Sequence, residues 1–420
     1  MKRMTRRQVM PLLAGGAVAT STVLSARASA ADEPVKIGGI FPLTGAGSVF
    51  GNQNFQGVEI AVDLINDRGG LNGRKIVLFK GDGHTPQAAI SETNRLLARE
   101  GVRIFTGSST SAVGMVASQE AERNGAFYWE GMAVANGFTE RGFKNVFRVG
   151  LDAGGLGRPA PLYIAEALGG LMKKAPKEFR IAVIAEDSAF GVDVSSAAIA
   201  QARALDITVA LHELYSAKTT DLSPLVLKLR SLRPDAVIAT QFINDAVLLQ
   251  RQMKEMRYRP PAFIGTSAGH STLSFADAIG DDVNGIFSSS YPNDANPDAL
   301  SPATKADRDE FLRRYQDKYK VTPAVQESLG FVVGMSLIRD VLGKARSTEA
   351  ADLRAAALAA DVPNGAYING WGMKFDANGQ NTRAFGSVVQ WQSRRMVSVF
   401  PTASKLADPI MVPLPAWGAR

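Results

Sequence analysis

Short apolar runs alternate with amphipathic segments along the chain from Pro34 onwards. The run 35–40 is apolar and contains β-branched residues, which predicts a strand. Apolar residues then recur at helical spacing over 52–67, which predicts a helix with one face towards a core. Gly69 and Gly70 follow, and glycine is common where a helix ends.

The same strand–turn–helix rhythm recurs in two series. The first has predicted strands at 75–79, 102–106 and 126–129. The second follows a glycine-rich segment, with predicted strands at 180–185, 207–214, 235–240 and 262–265 and helices at 192–205, 222–232 and 245–256. Two βαβ series predict an α/β protein with two doubly wound, Rossmann-like lobes. Later come predicted helices at 305–319, 324–342 and 350–360, β runs at 387–391 and 396–400, and a surface tail at 403–420.

The first thirty residues have the pattern of an export signal. Arg6 and Arg7 form a twin-arginine motif, a weakly apolar run covers 11–24, and the small residues 28–30 suit a cleavage site. A membrane anchor is the alternative, but the run is short and rich in Ala, Gly and Thr. We therefore predict a twin-arginine signal peptide over 1–30, cleavage near Ala30, and a periplasmic protein.

Loss of that segment changes the charge of the protein. Residues 1–30 hold five basic residues and no acidic one, so the formal net charge falls from +7 to +2. A nearly balanced mature chain offers no basis for a nucleic-acid partner.

The chain holds little material for catalysis or metal binding. It has no Cys, and its three His (His84, His212 and His270) lack the spacing of metal ligands. No phosphate-binding glycine loop occurs. We expect no enzyme activity, no metal and no cofactor. An exported hydrolase is the remote alternative, and it would need Ser111 paired with one of the His.

Two turns of small residues lie one βα unit apart, at 107–111 and 131–134. They follow two predicted strands, so they should share one edge of a parallel sheet, where such sheets bind ligands. The first turn carries Ser109, Thr110 and Ser111, and helix N-termini attract anions. Plain helix capping is the alternative interpretation of these hydroxyls. At the end of the intervening strand, Glu130 could accept hydrogen bonds from a ligand.

Three aromatic residues occupy equivalent places at strand ends. Phe50, Phe190 and Phe242 each lie in or next to a loop that follows a predicted strand. Ordinary core packing and a role as apolar wall of a pocket are both open for them.

Ordered short motifs extend from about residue 35 to 400: Lys36-Ile37-Gly38, Pro42-Leu43-Thr44-Gly45, Gly69-Gly70-Leu71-Asn72-Gly73-Arg74, Phe147-Arg148, Phe190-Gly191 and Pro234-Asp235-Ala236-Val237. This set resembles the periplasmic substrate-binding proteins of branched-chain amino acid ABC transporters, the leucine/isoleucine/valine-binding type. The resemblance implies the type I fold, with two lobes joined by three crossovers that close on a ligand. It divides the chain into lobe 1 (34–150 plus 290–384), lobe 2 (151–289 plus 385–402) and a C-terminal tail (403–420).

The resemblance also implies positions for ligand contacts. It places a carboxylate-binding serine at Ser111, with backbone N–H groups around Ala133 in support. Met132, beside Ala133, belongs to the same predicted contact loop. Phe50 and Phe190 would supply the aromatic contacts.

Three positions depart from the family pattern. Val134 stands where the amino-acid binders have Thr, Phe190 replaces a Tyr, and Ser267 stands where an acid pairs with the ligand's ammonium. A buried ammonium without a carboxylate costs several kcal/mol. Either another acid substitutes (Glu130, Asp187 or Asp245), or the ligand is not an α-amino acid.

The resemblance implies a solute receptor that captures an amino acid or a small carboxylate or amide, aromatic ones included. It would deliver that ligand to an ABC transporter permease, and we expect it to act as a monomer. The ligand-sensing part of a signalling system is the first alternative function, and the exported hydrolase is the second.

Overall fold

The computed structural model describes residues 33–292 and 300–418. These residues form two sheets of mostly parallel strands with helices on their faces, so the predicted fold class is confirmed. The first sheet contains β1 (Val35–Phe41), β2 (Ile76–Asp82), β3 (Ile104–Gly107), β4 (Phe127–Glu130) and β5 (Val146–Arg148). The second contains β6 (Arg180–Glu186), β7 (Thr208–Tyr215), β8 (Ala236–Thr240), β9 (Ala262–Thr266), β10 (Phe287–Ser290), β11 (Ser387–Gln392) and β12 (Arg395–Phe400).

The α-helices of the described chain fill the connections between these strands. They are Ser48–Asp67, Pro86–Arg95, Ser111–Arg123, Ala153–Gly157, Pro159–Tyr163, Gly169–Met172, Ala189–Ala204, Ser223–Leu232, Ile243–Glu255, Ser267–His270, Leu273–Ile279, Pro302–Tyr319, Val325–Met335 and Ala350–Ala359. Within the described residues, no helix is both long enough and apolar enough to cross a membrane.

Strand order puts one crevice in each sheet. The first sheet runs β2-β1-β3-β4-β5 and the second runs β12-β11-β10-β9-β8-β6-β7. The order reverses between β1 and β3 in the first sheet and between β6 and β8 in the second. At such a switch point the following loops diverge to opposite faces and leave space for a ligand. The loops after β1, β3, β6 and β8 are therefore the natural walls of a site.

The helix Val325–Met335 packs tightly on the helix Ser48–Asp67, and glycines permit the contact. A Cβ atom at Gly57 would meet the carbonyl oxygen of Glu327, and one at Gly330 would meet that of Asn54. Side chains from 311–375 share one apolar cluster with the first sheet. This packing places the start of the helix Val325–Met335 beside the loops that follow β1 and β3.

The structure differs from the sequence-based expectation in several connections. The glycine-rich crossover near residue 150 contains three short helices between Ala153 and Met172, which its composition concealed. The strand β10 was not predicted, because its sequence Phe-Ser-Ser-Ser has little apolar signal. The tail is not among these differences, since a surface-hugging segment is expected there; Trp417 stacks on Arg259 and donates its indole N–H to the carbonyl oxygen of Tyr258.

Two predictions on the organisation of the chain stay predictions. The expected signal segment, 1–30, lies outside the described residues. The lobe boundaries are compatible with the sheets, since β1–β5 come from residues before 150 and β11 and β12 follow 384.

Candidate ligand-binding site

A narrow cavity of about 30 Å³ lies between loops that follow strands of the two sheets. This volume is far below the roughly 300–1,000 Å³ that small-molecule pockets occupy, so the loops as described are too close together for a ligand of that size. Its walls contain hydroxyl, amide, thioether, aliphatic and aromatic side chains: Phe50, Ser109, Thr110, Ser111, Met132, Leu156, Phe190, Phe242, Ser267, Tyr291 and Gln326. Eight of these wall residues are among the eleven predicted contacts, so the cavity lies where the sequence pattern placed a site.

The loop after β3 presents three hydroxyl residues to the cavity. Ser109 adopts a left-handed backbone (φ 71°), and its Oγ accepts a hydrogen bond of 2.9 Å from the side-chain amide of Asn54. Ser111 Oγ accepts one of 3.2 Å from the backbone N–H of Ala135. These bonds hold the hydroxyl loop against the neighbouring loop and helix.

The helix Ser111–Arg123 begins at this loop without a side-chain cap. Its N-cap residue Thr110 is extended but makes no capping hydrogen bond, whereas Thr85 caps its own helix by accepting from Ala88. The first N–H groups of a helix have no partner within the helix. The cavity wall thus combines hydroxyls with a helix N-terminus, which favours an anionic group.

Glu130 lies beneath the two loops rather than on the cavity wall. Its Oε1 accepts four backbone N–H groups at 2.8–3.1 Å, those of Ser108, Gly131, Met132 and Ala133. Its Oε2 accepts the Ser108 hydroxyl at 3.0 Å. Burial raises the pKa of the Glu130 carboxyl, and the N–H groups of Met132, Ala133 and Ser108 oppose that shift.

The structure places three of the predicted contact residues, Glu130, Ala133 and Val134, off the described cavity wall. The Glu130 carboxylate is already occupied by loop N–H groups, so it does not face a ligand. The Ala133 N–H donates to Glu130 instead of to the cavity, and the side chains of Ala133 and Val134 are buried in apolar clusters. Met132, the residue before Ala133 in the same loop, does line the cavity.

Arg148 binds the same loop from the opposite side. The sequence did not indicate it as a site residue. Its guanidinium is buried and donates to the carbonyl oxygens of Ala133 at 2.9 Å and Ala135 at 2.8 Å. It also donates to the Gln380 side chain at 2.6 Å. Burial lowers the pKa of Arg148 to about 10, which leaves it charged at neutral pH. The loop 131–135 is therefore held between a buried anion and a buried cation.

The second sheet contributes apolar surface. Phe190 and Phe242 follow β6 and β8, and their ring centroids lie 5.3 Å apart. Leu156, from the crossover helix Ala153–Gly157, is fully buried beside them on the cavity wall. Phe50 adds an aromatic ring from the first lobe. Most of the wall area that a ligand would contact is thus apolar or aromatic.

Three neutral polar residues complete the wall. The Tyr291 hydroxyl donates to the carbonyl oxygen of Met132 at 3.0 Å. Gln326 accepts a hydrogen bond of 3.4 Å from the Asn54 amide. Ser267 is 2% exposed, and its Oγ has no hydrogen-bond partner among the described residues.

The other acids considered for an ammonium partner also lie off the cavity. Asp245 accepts the Tyr215 hydroxyl, and burial raises the pKa of Asp245 to about 6. Asp187 is exposed and accepts the backbone N–H of Ala217 at 3.1 Å. Among the described residues that line the cavity, none has a charged side chain.

The histidines lie off the described cavity wall. His270 is fully buried, burial lowers its pKa to about 4, and its Nδ1 accepts from the Thr266 N–H at 3.3 Å. His84 and His212 are exposed. No His lines the described cavity wall, so Ser111 has no histidine base beside it there. The described residues also contain no cluster of three or more candidate metal ligands.

The sequence did not predict three of the wall residues: Leu156, Tyr291 and Gln326. Leu156 lies in a short glycine-rich helix, and Tyr291 follows a strand that the pattern did not show. Gln326 lies in the first turn of the helix Val325–Met335, more than 200 residues from the hydroxyl loop. Of these three, Tyr291 alone had a local sequence signal. It is an aromatic residue after a hydroxyl-rich run, and aromatic residues also follow other strands that border the cavity.

Comparison with known proteins gives concordant results. A model of the periplasmic binding protein family matches residues 34–395. The Leu/Ile/Val-binding protein homolog 7 of Brucella abortus (strain 2308) is 34% identical over 385 residues, which cover 92% of this chain and 96% of the relative. Homolog 8 of the same strain is 35% identical over 393 residues, 93% of this chain and 96% of the relative.

Solved structures share the fold at lower identity. A leucine-binding protein from Thermotoga maritima has a TM-score of 0.75 at 22% identity, covering 87% of this chain and 97% of its own. A solute-binding protein from R. palustris in complex with benzoate has a TM-score of 0.72 at 21% identity, covering 89% and 98%. A branched-chain amino acid binding protein from Streptococcus pneumoniae with isoleucine has a TM-score of 0.74 at 20% identity, covering 90% and 100%.

Proposed function

The chain belongs to the periplasmic binding protein family, the solute-binding components of ABC transporters, and we propose from its cavity wall that its ligand is a small carboxylate without an ammonium group. Aromatic carboxylates match the hydroxyl and aromatic groups of the cavity wall. The protein would hold this ligand between its two lobes and deliver it to a membrane permease, without chemical change to the ligand.

One observation carries the proposal: the described cavity wall has hydroxyls and an amide but no carboxylate. An α-amino acid would bring an ammonium into this wall, and an unpaired buried cation costs several kcal/mol. Glu130, Asp187 and Asp245 all have other partners or positions, so none compensates for the Ser at position 267.

The carboxylate end of the ligand would lie at the hydroxyl loop. The uncapped helix Ser111–Arg123 offers free N–H groups, and Ser109 and Ser111 offer hydroxyls. Charge-assisted hydrogen bonds of this type are stronger than neutral ones. A single negative charge can be satisfied here without a basic side chain.

The body of the ligand would lie against Phe50, Phe190 and Phe242, with Met132 and Leu156 beside it. Aromatic pairs contribute about 0.5–1.5 kcal/mol beyond the area they bury. The R. palustris neighbour was solved with benzoate, which shows that this fold accommodates such a molecule. Other neighbours bind leucine or isoleucine, so the cavity wall rather than the family decides the preference.

The family places the protein in the periplasm. We propose that export follows the twin-arginine pattern, that cleavage occurs near Ala30, and that lobe 1 (34–150 plus 290–384) closes on lobe 2 (151–289 plus 385–402). We propose that it acts as a monomer.

Matched ligand pairs test the proposal with the protein spanning 31–420. Leucine and 4-methylpentanoate differ only in the ammonium group, as do phenylalanine and 3-phenylpropanoate. Titration calorimetry should show the ammonium-free member of a pair binding roughly 100-fold more tightly, and benzoate binding measurably. Tighter binding of leucine than of 4-methylpentanoate would overturn the proposal.

A further inference from the structure

Ser267 is the wall residue whose polar group the protein does not use. The side chain is 2% exposed, it lines the cavity, and its Oγ has no hydrogen-bond partner among the described residues. Buried polar groups are nearly always paired, so an exception at a cavity wall indicates a group supplied from outside the protein. Ser267 follows β9 of the second sheet, whereas the hydroxyl loop follows β3 of the first.

Some neighbouring polar groups are already engaged elsewhere. The Thr266 hydroxyl is 3.2 Å from that of Thr240, and the Thr266 N–H donates to His270. The Ser271 hydroxyl donates to Ser288 at 2.9 Å. His270 Nε2, Gln241 Oε1 and Ser290 Oγ also lack a partner among the described residues, but of the buried unpartnered atoms only Ser267 Oγ belongs to a described residue of the cavity wall.

The chemistry of the wall limits what Ser267 can bind. A hydroxyl both donates and accepts hydrogen bonds but does not neutralise a charge. The described wall has no ionised side chain, so a second carboxylate or an ammonium at this end would lack a counter-ion. A neutral group that donates and accepts, as a hydroxyl does, meets these conditions.

We infer that Ser267 is a specificity-determining residue that pairs with a hydroxyl group on the apolar body of the ligand. The inference rests on the proposed function, since it assumes a carboxylate at the hydroxyl loop. The preferred ligand class then becomes hydroxylated aromatic carboxylates, held by their carboxylate in one lobe and by their hydroxyl in the other.

Calorimetric titration of benzoate, 3-hydroxybenzoate, 4-hydroxybenzoate and 4-methylbenzoate tests this inference. The wild-type protein should bind at least one hydroxybenzoate roughly 5- to 20-fold more tightly than benzoate, the effect of one well-made hydrogen bond. The methyl compound, similar in size to the hydroxyl compound, should show no such gain.

Substitution at position 267 identifies the residue responsible. Ser267→Ala should remove the advantage of the hydroxybenzoate and leave benzoate affinity within about threefold, because no existing bond of the protein is lost. Ser267→Cys keeps the size of the side chain with a weaker donor and should retain part of the advantage. Ser271→Ala, a buried serine off the cavity wall, should leave the preference unchanged.

The outcomes distinguish a failure of the inference about Ser267 from a failure of the proposed function. Equal losses for benzoate and hydroxybenzoate in Ser267→Ala would overturn the inference, as would a wild-type protein that does not distinguish the two ligands. In both cases measurable benzoate binding would leave the proposed function standing. If no aromatic carboxylate binds while leucine does, the proposed function fails and the inference with it. Should Ser267→Ala not fold, Ser267→Cys decides by the same comparison.

Discussion

The first sheet faces the cavity with two loops tied to buried charged side chains, whereas the second faces it with aromatic rings and an unpartnered hydroxyl. In the first, Glu130 and Arg148 bind the backbone of the loop 131–135 from opposite sides. In the second, Phe190, Phe242 and Ser267 line the cavity directly. Each lobe contains a buried acid near the cavity, and the two acids have different surroundings.

The number of donors around each acid distinguishes them. Glu130 accepts five hydrogen bonds from loop groups, whereas the Asp245 carboxylate accepts the Tyr215 hydroxyl and backbone N–H groups at Phe242 and Asp245. A buried carboxylate surrounded by N–H donors fixes the position of those donors. The first lobe therefore has a rigid anion-binding wall, and the second has a wall where the side chain at one position can set selectivity.

Removal of Glu130 should have the largest effect. Glu130→Ala leaves four backbone N–H groups buried without an acceptor, and each unsatisfied group costs about 1–3 kcal/mol. We expect a loss of about 3–5 kcal/mol in unfolding free energy, measured by chemical denaturation, together with loss of carboxylate binding.

Two further variants sharpen that result. Glu130→Gln keeps one acceptor oxygen, so we expect an intermediate loss of stability. Glu255 is an exposed acid, and Glu255→Ala should change the unfolding free energy by less than about 0.5 kcal/mol. If Glu130→Ala is as stable as the wild type, Glu130 does not hold the loops of the first lobe in place. The contrast drawn between the cavity walls of the two lobes is then wrong.

The sequence predicted the βα alternation and much of the cavity wall for a simple reason. Loops after parallel strands meet at one edge of a sheet, so Ser109, Ser111 and Phe190 could be assigned from local pattern alone. It could not show the direction of Glu130, because β4 is buried on both faces and alternation carries no information there. Gln326 required knowledge of how distant helices pack, which periodicity within a helix does not contain.

An acid at position 267 should change which ligands the cavity wall of the second lobe prefers. Ser267→Glu places a carboxylate in a cavity whose other end favours an anion, so a ligand with one negative charge meets a second buried charge. We expect benzoate affinity to fall roughly 100-fold or more, and leucine to bind better than to the wild type because its ammonium gains a partner. Calorimetry with both ligands measures the two effects together.

Ser267→Gln is the matched control for that change. It has nearly the same shape as the Glu variant but no charge, so it should weaken benzoate through crowding alone and give no gain for leucine. A gain for leucine in Ser267→Gln, or none in Ser267→Glu, would contradict an electrostatic basis for the preference.

The smallest expected effect concerns the acid of the second lobe. Burial raises the pKa of Asp245 from an ordinary value of 3.8 to about 6, so between pH 4 and 6 the folded protein binds more protons at this group than the unfolded chain. Stability contributed by this group therefore falls as pH rises through that window. Asp245→Asn removes the charge and keeps an oxygen for the Tyr215 hydroxyl, so it should stabilise the protein by about 2 kcal/mol at pH 7.

The pH dependence of the Asp245→Asn effect separates charge from packing. At pH 4 the wild-type carboxyl is itself protonated, so the difference between the two proteins in chemical unfolding should nearly vanish. Asp221 gives the opposite sign, because hydrogen bonds from Ser223 and Gln252 lower its pKa, and Asp221→Asn should not stabilise the protein at pH 7. If Asp245→Asn destabilises at pH 7, the carboxylate is held by donors as firmly as Glu130 is, and the two lobes do not differ in the way their buried acids are satisfied.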